Sequence, residues 1–408
     1  MEELIVFFRF LIIFVSGYYF FLSLFCLGQR KELYRHIPPT MRFALVIAAH
    51  NEEKVIKPLL ESLFNQDYPK GLYHIFVVAD NCRDQTARVA RGTGAVVFSR
   101  HDQEKRGKGY ALEFGFQKIF ALKENFDALI IFDADNLVDP NFLRVMNYHL
   151  LKGEKIIQGY LGVKNPGDSW VTRAIAVGYY ISNRFWQLAK YNVGLSCALG
   201  GTGMCIAVEV LKEVGWQMDT LTEDLEFQTK ALLLNRRVTW AHQAVVYDEK
   251  PLTIRQSMRQ RLRWMQGHCD VAGRYFFKLL YRGIRGHNLR QLDGALYLIQ
   301  PFFTVFFGFT FLYCLMTVFT NFSTNPRLFL YGLLFQYFYL ALPLILEKAS
   351  LTVYGWLFYY PLFTLTWIPV TLAGFINRKR KIWYHTPHVR DIPLAGIEKK
   401  KEKNGAKP

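Results

Sequence analysis

Two aspartates two residues apart close an apolar segment near the middle of the chain. Asp133 and Asp135 follow the run Ala128–Phe132, with Ala134 between them. If the backbone stays extended, both carboxylates lie on the same side of it. Such a pair suits a hard divalent cation, Mg²⁺ or Mn²⁺, which in turn bridges phosphate oxygens. A solvated acidic loop after a buried strand explains the same pattern without a metal.

Other acidic residues occupy comparable positions. Asp80 ends a second apolar run, and Glu223 and Asp224 follow Thr222 further along the chain. A deprotonated carboxylate can take a proton from a hydroxyl group, so this pair could supply a general base. An isolated acid pair is otherwise an ordinary surface feature.

Two loops could meet a phosphorylated ligand. The stretch 49–53 (AHNEE) follows an apolar run and leads into a helix, which fits either an N-terminal helix cap or a ligand-facing loop. The stretch 105–109 (KRGKG) precedes another helix and fits either a diphosphate contact or a solvated turn. Neither G-x-G-x-x-G nor a P-loop occurs in the first loop, so dinucleotide oxidoreductases and P-loop ATPases lose their main support.

The stretch 259–267 (RQRLRWMQG) belongs to a predicted amphipathic helix. At 100° per residue one apolar stripe collects Met258, Leu262, Met265, Cys269, Ala272 and Phe276. The opposite face presents Gln260, Arg263 and Trp264, whose groups suit phosphate binding and sugar stacking. We expect the apolar stripe to lie on lipid and Arg259 and Arg261 to contact headgroups.

These residues need a scaffold that brings strand ends together. Apolar runs at 43–49, 74–80 and 128–135 predict strands buried on both faces, and helical patterns lie near 53–66, 86–91 and 109–122. Strands that alternate with helices predict a parallel sheet covered on both sides. Ligands of such sheets bind at the carboxyl ends of the strands, where the aspartates fall.

Hydrophobic segments flank this region. Phe10–Leu27 is long enough to cross a bilayer, and later candidates are Gly294–Phe319, Leu328–Leu346 and Thr352–Ile376. Three later crossings would place the lysine-rich tail outside, against the positive-inside rule, so we expect one of them to re-enter or only lie in the membrane. The expected divisions are an N-terminal span with a basic linker (1–40), a cytosolic catalytic domain (41–250), interface helices (251–292), a membrane region (293–377) and a cytosolic tail (378–408).

The net charge of +17 over 408 residues concentrates beside these segments, between Lys250 and Arg290 and again after Arg378. Attraction to anionic lipid accounts for such charge. No zinc-finger spacing or RNA-binding signature accompanies it, so we expect no nucleic-acid partner. The six cysteines form no C-x-x-C pair and fit reduced, buried positions.

Taken in order, these motifs resemble the membrane-integrated family 2 glycosyltransferases of the cellulose- and hyaluronan-synthase-like type. The resemblance rests on Asp80, the Asp133-Ala134-Asp135 motif, Thr222-Glu223-Asp224, and 260–264 (QRLRW), which conforms to the pattern Q-(Q/R)-x-R-W. The stretches 77–87 (VVADNCRDQTA) and 100–112 (RHDQEKRGKGYAL) look like the subgroup associated with bacterial exopolysaccharide synthesis.

The resemblance implies a GT-A domain that uses a nucleotide-diphosphate sugar, usually linked to UDP, and inverts the anomeric carbon. It assigns the nucleotide-sugar to Ala48, Glu52, Asp80, Lys108, Asp133, Gln260 and Arg263. It makes Asp135, with Asp133, the metal site for Mg²⁺ or Mn²⁺, and Asp224, beside Glu223, the general base, while Arg263 stabilises the departing diphosphate. The acceptor would meet Gly201, Thr202, Gly203, Asp224 and Trp264, and the stretch 383–386 (WYHT), with Trp383 and Thr386, resembles a gating loop.

Three functions remain open on the sequence. The first is a processive synthase that elongates a β-linked polysaccharide, from UDP-glucose or UDP-N-acetylglucosamine, and passes it through the bacterial plasma membrane. The second is a single transfer to a lipid acceptor, and the third is a basic membrane anchor or pore without catalysis. An accessory export subunit or a homo-oligomer is compatible with the first.

Overall fold

The computed structural model describes residues 2–28, 32–320 and 326–380. These residues contain eight strands, all in one sheet: β1 (Phe43–Ala49), β2 (Tyr73–Asp80), β3 (Val96–Arg100), β4 (Ala128–Asp133), β5 (Leu137–Val138), β6 (Ile156–Val163), β7 (Met204–Ala207) and β8 (Thr239–Asp248).

Helices precede, cover and follow this sheet. The α-helices of the described residues are α1 (Glu2–Ser23), α2 (Ile56–Phe64), α3 (Thr86–Gly92), α4 (Lys108–Phe120), α5 (Phe142–Leu151), α6 (Trp170–Ile181), α7 (Ala189–Asn192), α8 (Val208–Val214), α9 (Glu223–Leu233), α10 (Ile254–Arg285), α11 (Leu289–Thr320), α12 (Pro326–Leu346), α13 (Leu351–Gly355), α14 (Tyr360–Leu365) and α15 (Trp367–Ile376). A π-helical segment, Ser182–Leu188, joins α6 to α7.

The sheet has the order β3-β2-β1-β4-β7-β6-β8-β5. The half from β3 to β4 is parallel throughout, and β6 pairs with β8 in parallel as well. Only β7 and β5 run against their neighbours. The predicted α/β domain with a mostly parallel sheet is therefore confirmed, and β1, β2 and β4 match three predicted strands.

The parallel half is buried because helices cover both faces. Every residue of β1 and β4 except Ala48 and Asp133 is almost inaccessible to solvent, which explains the unbroken apolar runs in the sequence. α4 packs closely on β1 and β2. A Cβ added at Gly115 of α4 would lie 2.7 Å from a methyl carbon of Val78. Because the core is close-packed, it fixes the positions of the strand ends.

α10 begins at a capping box, in which Thr253 and Gln256 each accept from the other's backbone N–H through their side chains. It then continues as one helix for 32 residues. The sequence pattern predicts more than one interface helix in this region. Pro301 lies inside α11 without ending it. The segment from α13 to α15 is broken, and its two halves meet at 49°.

The expected lipid-facing stripe of α10 is wrong for its central residues. Met265, Cys269 and Ala272 are buried within the chain. α15 approaches so closely that a Cβ added at its Gly374 would lie 2.5 Å from Met265 Cβ. The stripe is apolar because it packs on other helices, which a helical wheel cannot distinguish from lipid contact.

Among the described residues, one helix segment is long and apolar enough to cross a membrane, Leu289–Phe309. The bent pair Leu351–Phe358 and Tyr360–Ile376 would be a second if it is counted as one span. The segments Phe10–Cys26 and Leu330–Leu346 are apolar helices of shorter length.

Candidate active site

The loops at the carboxyl ends of the parallel strands meet around Lys108, the first residue of α4. Its ammonium group pairs with Asp133 at the end of β4 and donates a hydrogen bond of 2.7 Å to the carbonyl oxygen of Gly201. It also lies 3.8 Å from a carboxylate oxygen of Glu223, at the start of α9. One cation thus joins four segments that the sequence places far apart.

Gly201 lets the α9 carboxylates approach this centre. Its φ of 79° is one that residues with a side chain rarely adopt, and a Cβ there would lie 3.4 Å from Asp224 Oδ2. Thr202, in contrast, is buried and donates its hydroxyl group to Asn136. Of the predicted acceptor loop, Gly201 is therefore the residue whose Cα faces the Asp224 carboxylate.

The charges of the site shift its protonation equilibria. Burial disfavours the charged form of Lys108, but Asp133 and Glu223 outweigh it and raise the pKa of the ammonium group. Desolvation, followed by repulsion from Glu223, raises the pKa of Asp224 to about 7. Asp224 is therefore the carboxylate that can accept and release a proton near neutral pH.

The chain turns directly after Asp133 instead of remaining extended. Asn136 N donates to the Asp133 carbonyl oxygen over 3.2 Å, so Ala134 and Asp135 lie in a turn between β4 and β5. The expectation that both carboxylates share one side of an extended strand is wrong for this reason. The Asp135 side chain is buried, and Asn136 Nδ2 donates to its Oδ1 over 3.3 Å.

Asp80, at the end of β2, forms a buried ion pair that the sequence reading missed. The guanidinium group of Arg100 donates to Asp80 Oδ1 over 2.6 Å, and Arg100 faces Asp80 across the β2–β3 ladder. The signal was a strand-like run at 96–100 that ends in arginine. His50 Nδ1 lies 2.7 Å from the Asp80 carbonyl oxygen, which joins the first loop to the same edge.

Ala48 and Glu52 belong to this first loop region. Ala48, in β1, pairs with Val78 on one side and with Asp133 on the other. Glu52 follows the strand, and its backbone N–H donates to the Thr86 hydroxyl oxygen over 2.8 Å. Both residues therefore border the strand ends that carry Asp80 and Asp133.

The donor set fits a divalent cation that arrives with a phosphate ligand. No group of three or more His, Cys, Asp and Glu side chains in the described ranges could enclose a metal ion. Mg²⁺ and similar ions need only one or two protein carboxylates when phosphate oxygens and water complete the shell. Asp133 and Asp135 supply such a pair, with the cationic Lys108 beside them.

α10 presents its predicted polar face to this centre. Gly267 lies on the same side of the helix as Gln260, Arg263 and Trp264, and a Cβ added there would lie 2.6 Å from the side chain of Thr222. Gln260, Arg263 and Trp264 are partly exposed. The helix face is therefore held against the residue that precedes Glu223 and Asp224.

Arg261 does not contact headgroups, and that expectation is wrong. Its side chain is buried, and its guanidinium carbon lies 4.4 Å from the ring centre of Phe363 and 4.8 Å from that of Trp367. It donates to Thr366 Oγ1 over 2.9 Å. Desolvation lowers the pKa of this arginine to about 10. Arg261 thus fastens α10 to the broken segment, while Arg263 on the other face stays accessible. Trp383 and Thr386, of the predicted gating loop, lie outside the described residues.

The match to a known protein family covers the region that contains this site. Residues 38–267 match the family described as Glycosyltransferase like family 2, and so include the sheet and the first half of α10. Among solved structures, a mannosyltransferase from Pyrobaculum calidifontis, in complex with GDP-Man and Mn²⁺, covers 90% of this chain and 97% of its own at a TM-score of 0.50 and 16% identity.

Three curated relatives differ in what their names describe. A probable glycosyltransferase, YdaM, of Bacillus subtilis is 26% identical over 68% of this chain. A β-monoglucosyldiacylglycerol synthase of Trichormus variabilis is 27% identical over 62%. A poly-β-1,6-N-acetyl-D-glucosamine synthase of Staphylococcus epidermidis is 23% identical over 64%.

The matches cover 66%, 56% and 63% of the lengths of these three relatives, in the same order. The family match spans more than half of the chain and contains Asp80, Lys108, the Asp133–Asp135 turn and Asp224. The chain therefore belongs to the glycosyltransferase-like family 2, a family of sugar-transferring enzymes.

Proposed function

We propose that the protein is an inverting, processive membrane hexosyltransferase, which transfers a sugar from a UDP-sugar to a growing β-linked exopolysaccharide and helps the product across the membrane. The observation that carries transfer is the Asp224 carboxylate, whose pKa is raised to about 7 by desolvation and by Glu223, beside Lys108 and the Asp133–Asp135 turn. An inverting transfer needs one base at the acceptor, not the pair of carboxylates that glycoside hydrolases use.

The donor is bound at the strand ends. Asp80, Glu52 and the backbone around Ala48 hold the nucleoside, and Lys108 holds the diphosphate next to Asp133. When bound at Asp133 and Asp135, Mg²⁺ or Mn²⁺ neutralises charge on that diphosphate. Lys108, which pairs with Asp133, would supply positive charge to the diphosphate, and Arg263 would meet the departing diphosphate from α10.

The acceptor approaches from the α10 side. Asp224 takes the proton of the acceptor hydroxyl as that oxygen attacks the anomeric carbon, and desolvation together with repulsion from Glu223 keeps the pKa of Asp224 high enough for it to act as a base. Trp264 supplies a flat surface for the sugar ring, with Gln260 as a hydrogen-bonding neighbour. Gly201 leaves room for the acceptor terminus beside Asp224.

A membrane location is proposed from the helices around the catalytic domain. Phe277, Tyr281 and Ile284 form an exposed apolar row on the second half of α10, and the basic residues Lys278 and Arg282 lie among them. Such a surface binds the headgroup region of anionic membranes. The span candidate Leu289–Phe309 begins shortly after this row. We infer a multi-pass protein of the bacterial plasma membrane with residues 41–250 in the cytosol. The bend of 49° between the two halves of α13–α15 favours this segment as the one that re-enters, a choice that the sequence leaves open.

The relatives support two kinds of acceptor. The name of the Staphylococcus epidermidis synthase describes a polymer, whereas that of the Trichormus variabilis enzyme describes a glucosylated lipid. Transfer of one sugar to a lipid acceptor is therefore the second candidate function. The same catalytic residues serve both, since only the acceptor changes.

Donor and acceptor are tested together with the purified protein in lipid vesicles. UDP-glucose, UDP-N-acetylglucosamine and GDP-mannose are each supplied with Mn²⁺ or Mg²⁺, and release of nucleoside diphosphate is measured. We expect release from a UDP-sugar and a high-mass product that a glycosidase degrades. A single-sugar lipid would contradict the polymer, release only from GDP-mannose would contradict the UDP donor, and no release from any donor would contradict the enzyme.

A further inference from the structure

Asn136 lies at the centre of the hydrogen bonds that hold the Asp133–Asp135 turn. Its side chain is completely buried. The carboxamide oxygen accepts from the Asp133 backbone N–H over 3.1 Å and from the Thr202 hydroxyl group. The carboxamide nitrogen donates to Asp135 Oδ1 over 3.3 Å and to Asp248 Oδ1 over 3.5 Å. A carboxamide has two acceptor and two donor positions, so all four are used.

These four bonds connect three separate parts of the site. Thr202 belongs to the loop whose Gly201 carbonyl oxygen receives the Lys108 ammonium group, and Asp248 is the last residue of β8. The bond to Asp133 fixes the end of β4 itself. Displacement of Asn136 would therefore disturb both the turn and the acceptor-side loop.

Asp248 is itself held in place from behind. The buried Lys250 pairs with its other carboxylate oxygen and donates to the Tyr179 hydroxyl oxygen over 2.6 Å. A paired Asp248 presents its remaining oxygen towards Asn136 and orients the carboxamide. A buried polar network of this kind, with every member satisfied, limits the rotamers of its members.

The orientation of Asp135 is what this network controls. Asp135 lies in the turn after β4, where Lys164 donates to its backbone carbonyl oxygen over 3.2 Å and Asn136 donates to one of its carboxylate oxygens. Hydrogen-bonding partners behind metal-binding carboxylates orient them, and their loss typically lowers metal affinity about 10- to 100-fold. We propose that Asn136 is a positioning residue, which holds Asp135 and Asp133 in the geometry that receives the metal–diphosphate group.

This inference rests on the proposed function, and its test measures binding and not turnover. Binding of Mn²⁺ together with UDP is followed by calorimetry in the wild type, Asn136→Ala and Asn147→Ala. Asn147 is a matched control. It is also buried, accepts from the backbone N–H groups of Thr40 and Met41, and donates to the Pro38 carbonyl oxygen, far from the strand ends.

We expect Asn136→Ala to lose about 10- to 100-fold in Mn²⁺–UDP affinity and Asn147→Ala to retain the wild-type value, with both melting at a lower temperature. In Asn136→Ala the Asp133 N–H keeps Thr202 Oγ1 as a partner at 3.1 Å, so the turn retains one bond. If Asn136→Ala does not fold, Asn136→Ser takes its place, and a loss of Mn²⁺–UDP affinity is again expected.

Unchanged Mn²⁺–UDP affinity in a folded Asn136 variant would overturn the positioning role, and so would an equal loss in Asn147→Ala. A wild-type protein that binds Mn²⁺–UDP but releases no UDP from any donor leaves this role intact and contradicts the proposed function alone. A wild type that does not bind Mn²⁺–UDP contradicts both.

Discussion

The two sides of the site are built differently. At the strand ends, polar side chains hold one another: Lys108 joins Asp133 to Gly201, and Arg100 holds Asp80. On the α10 side, Gln260, Arg263 and Trp264 are partly exposed, and the helix beneath them is held by packing at Gly267 and Arg261. The proposed donor side is thus held by individual polar contacts, whereas the proposed acceptor side is held through the packing of one helix. Substitutions should therefore separate into those that affect donor chemistry and those that affect acceptor engagement.

The largest effect is expected from Asp224→Asn. Loss of the base should lower turnover by a factor of about 10² to 10⁴, because general base catalysis contributes that much. Binding of Mn²⁺–UDP should stay near the wild-type value, since Asp224 is not assigned to the donor. Both quantities are measured on the same preparation, with the exposed Asp219→Asn as the control that should retain activity. An equal loss of donor affinity would refute the base assignment.

Lys108→Met tests the donor side. The substitution keeps most of the length of the side chain and removes a partly buried cation that pairs with Asp133, so UDP affinity should fall by about 10- to 100-fold, the size of a charge-assisted hydrogen bond. The chain length of the products that still form should not change. The exposed Lys57→Met is the control. Shorter products at saturating donor would show that the two sides are not separate.

The pH dependence tests the same division through Asp224. Its raised pKa means that the free carboxylate predominates above about pH 7 and is lost as the pH falls through that value. We therefore expect kcat/KM to be level above pH 7 and to fall about tenfold per unit below it. Binding of Mn²⁺–UDP should show no such step at pH 7. The residual rate of Asp224→Asn should lack this acid limb, and its persistence there would assign the limb to another group.

Trp264→Ala should give the smallest effect and act on the acceptor side only. Loss of a stacking surface, which contributes about 0.5–1.5 kcal/mol, should raise the acceptor KM by about 2- to 13-fold and shorten the products. Donor affinity should stay the same. Product length is read by gel filtration, with Trp356→Ala as the control, since Trp356 packs in the apolar cluster of α1 and α12. An unchanged product length and an unchanged acceptor KM would contradict the assignment of Trp264 to the acceptor site.

The parallel half of the sheet could be predicted closely, because strands buried on both faces leave unbroken apolar runs. β1 was placed at its observed bounds, and Asp80 and Asp133 end their strands as expected. The turn after Asp133 was missed, since it depends on the bond from Asn136 N to the Asp133 carbonyl oxygen. The sequence could thus identify Asp135 as a candidate metal ligand but could not predict the orientation of its carboxylate.

Partners that come from distant segments could not be predicted in the same way. Nothing in the local pattern around Arg261 indicates that Phe363 and Trp367 enclose it, about a hundred positions later. A helical wheel gives the direction of each side chain but not what lies there. For this reason the wheel predicts lipid contact for the apolar stripe of α10, although α15 packs on it at Met265 and other helices pack on it at Ala272, and it does not identify Arg100 or Asn136.

The two glycine contacts of α10 set a rule for building chimeras. On one side Gly267 lets the helix touch Thr222, and on the other Gly374 of α15 lets it touch Met265. One contact therefore leaves no room for a side chain at position 267 of α10, and the other leaves none at position 374 of α15. Exchange of residues 351–376 with those of a relative should preserve the contact between α10 and Thr222 only when a glycine is kept at position 374. A larger residue there would force α15 and α10 apart and so disturb the helix that packs beside the start of α9, where Asp224 lies.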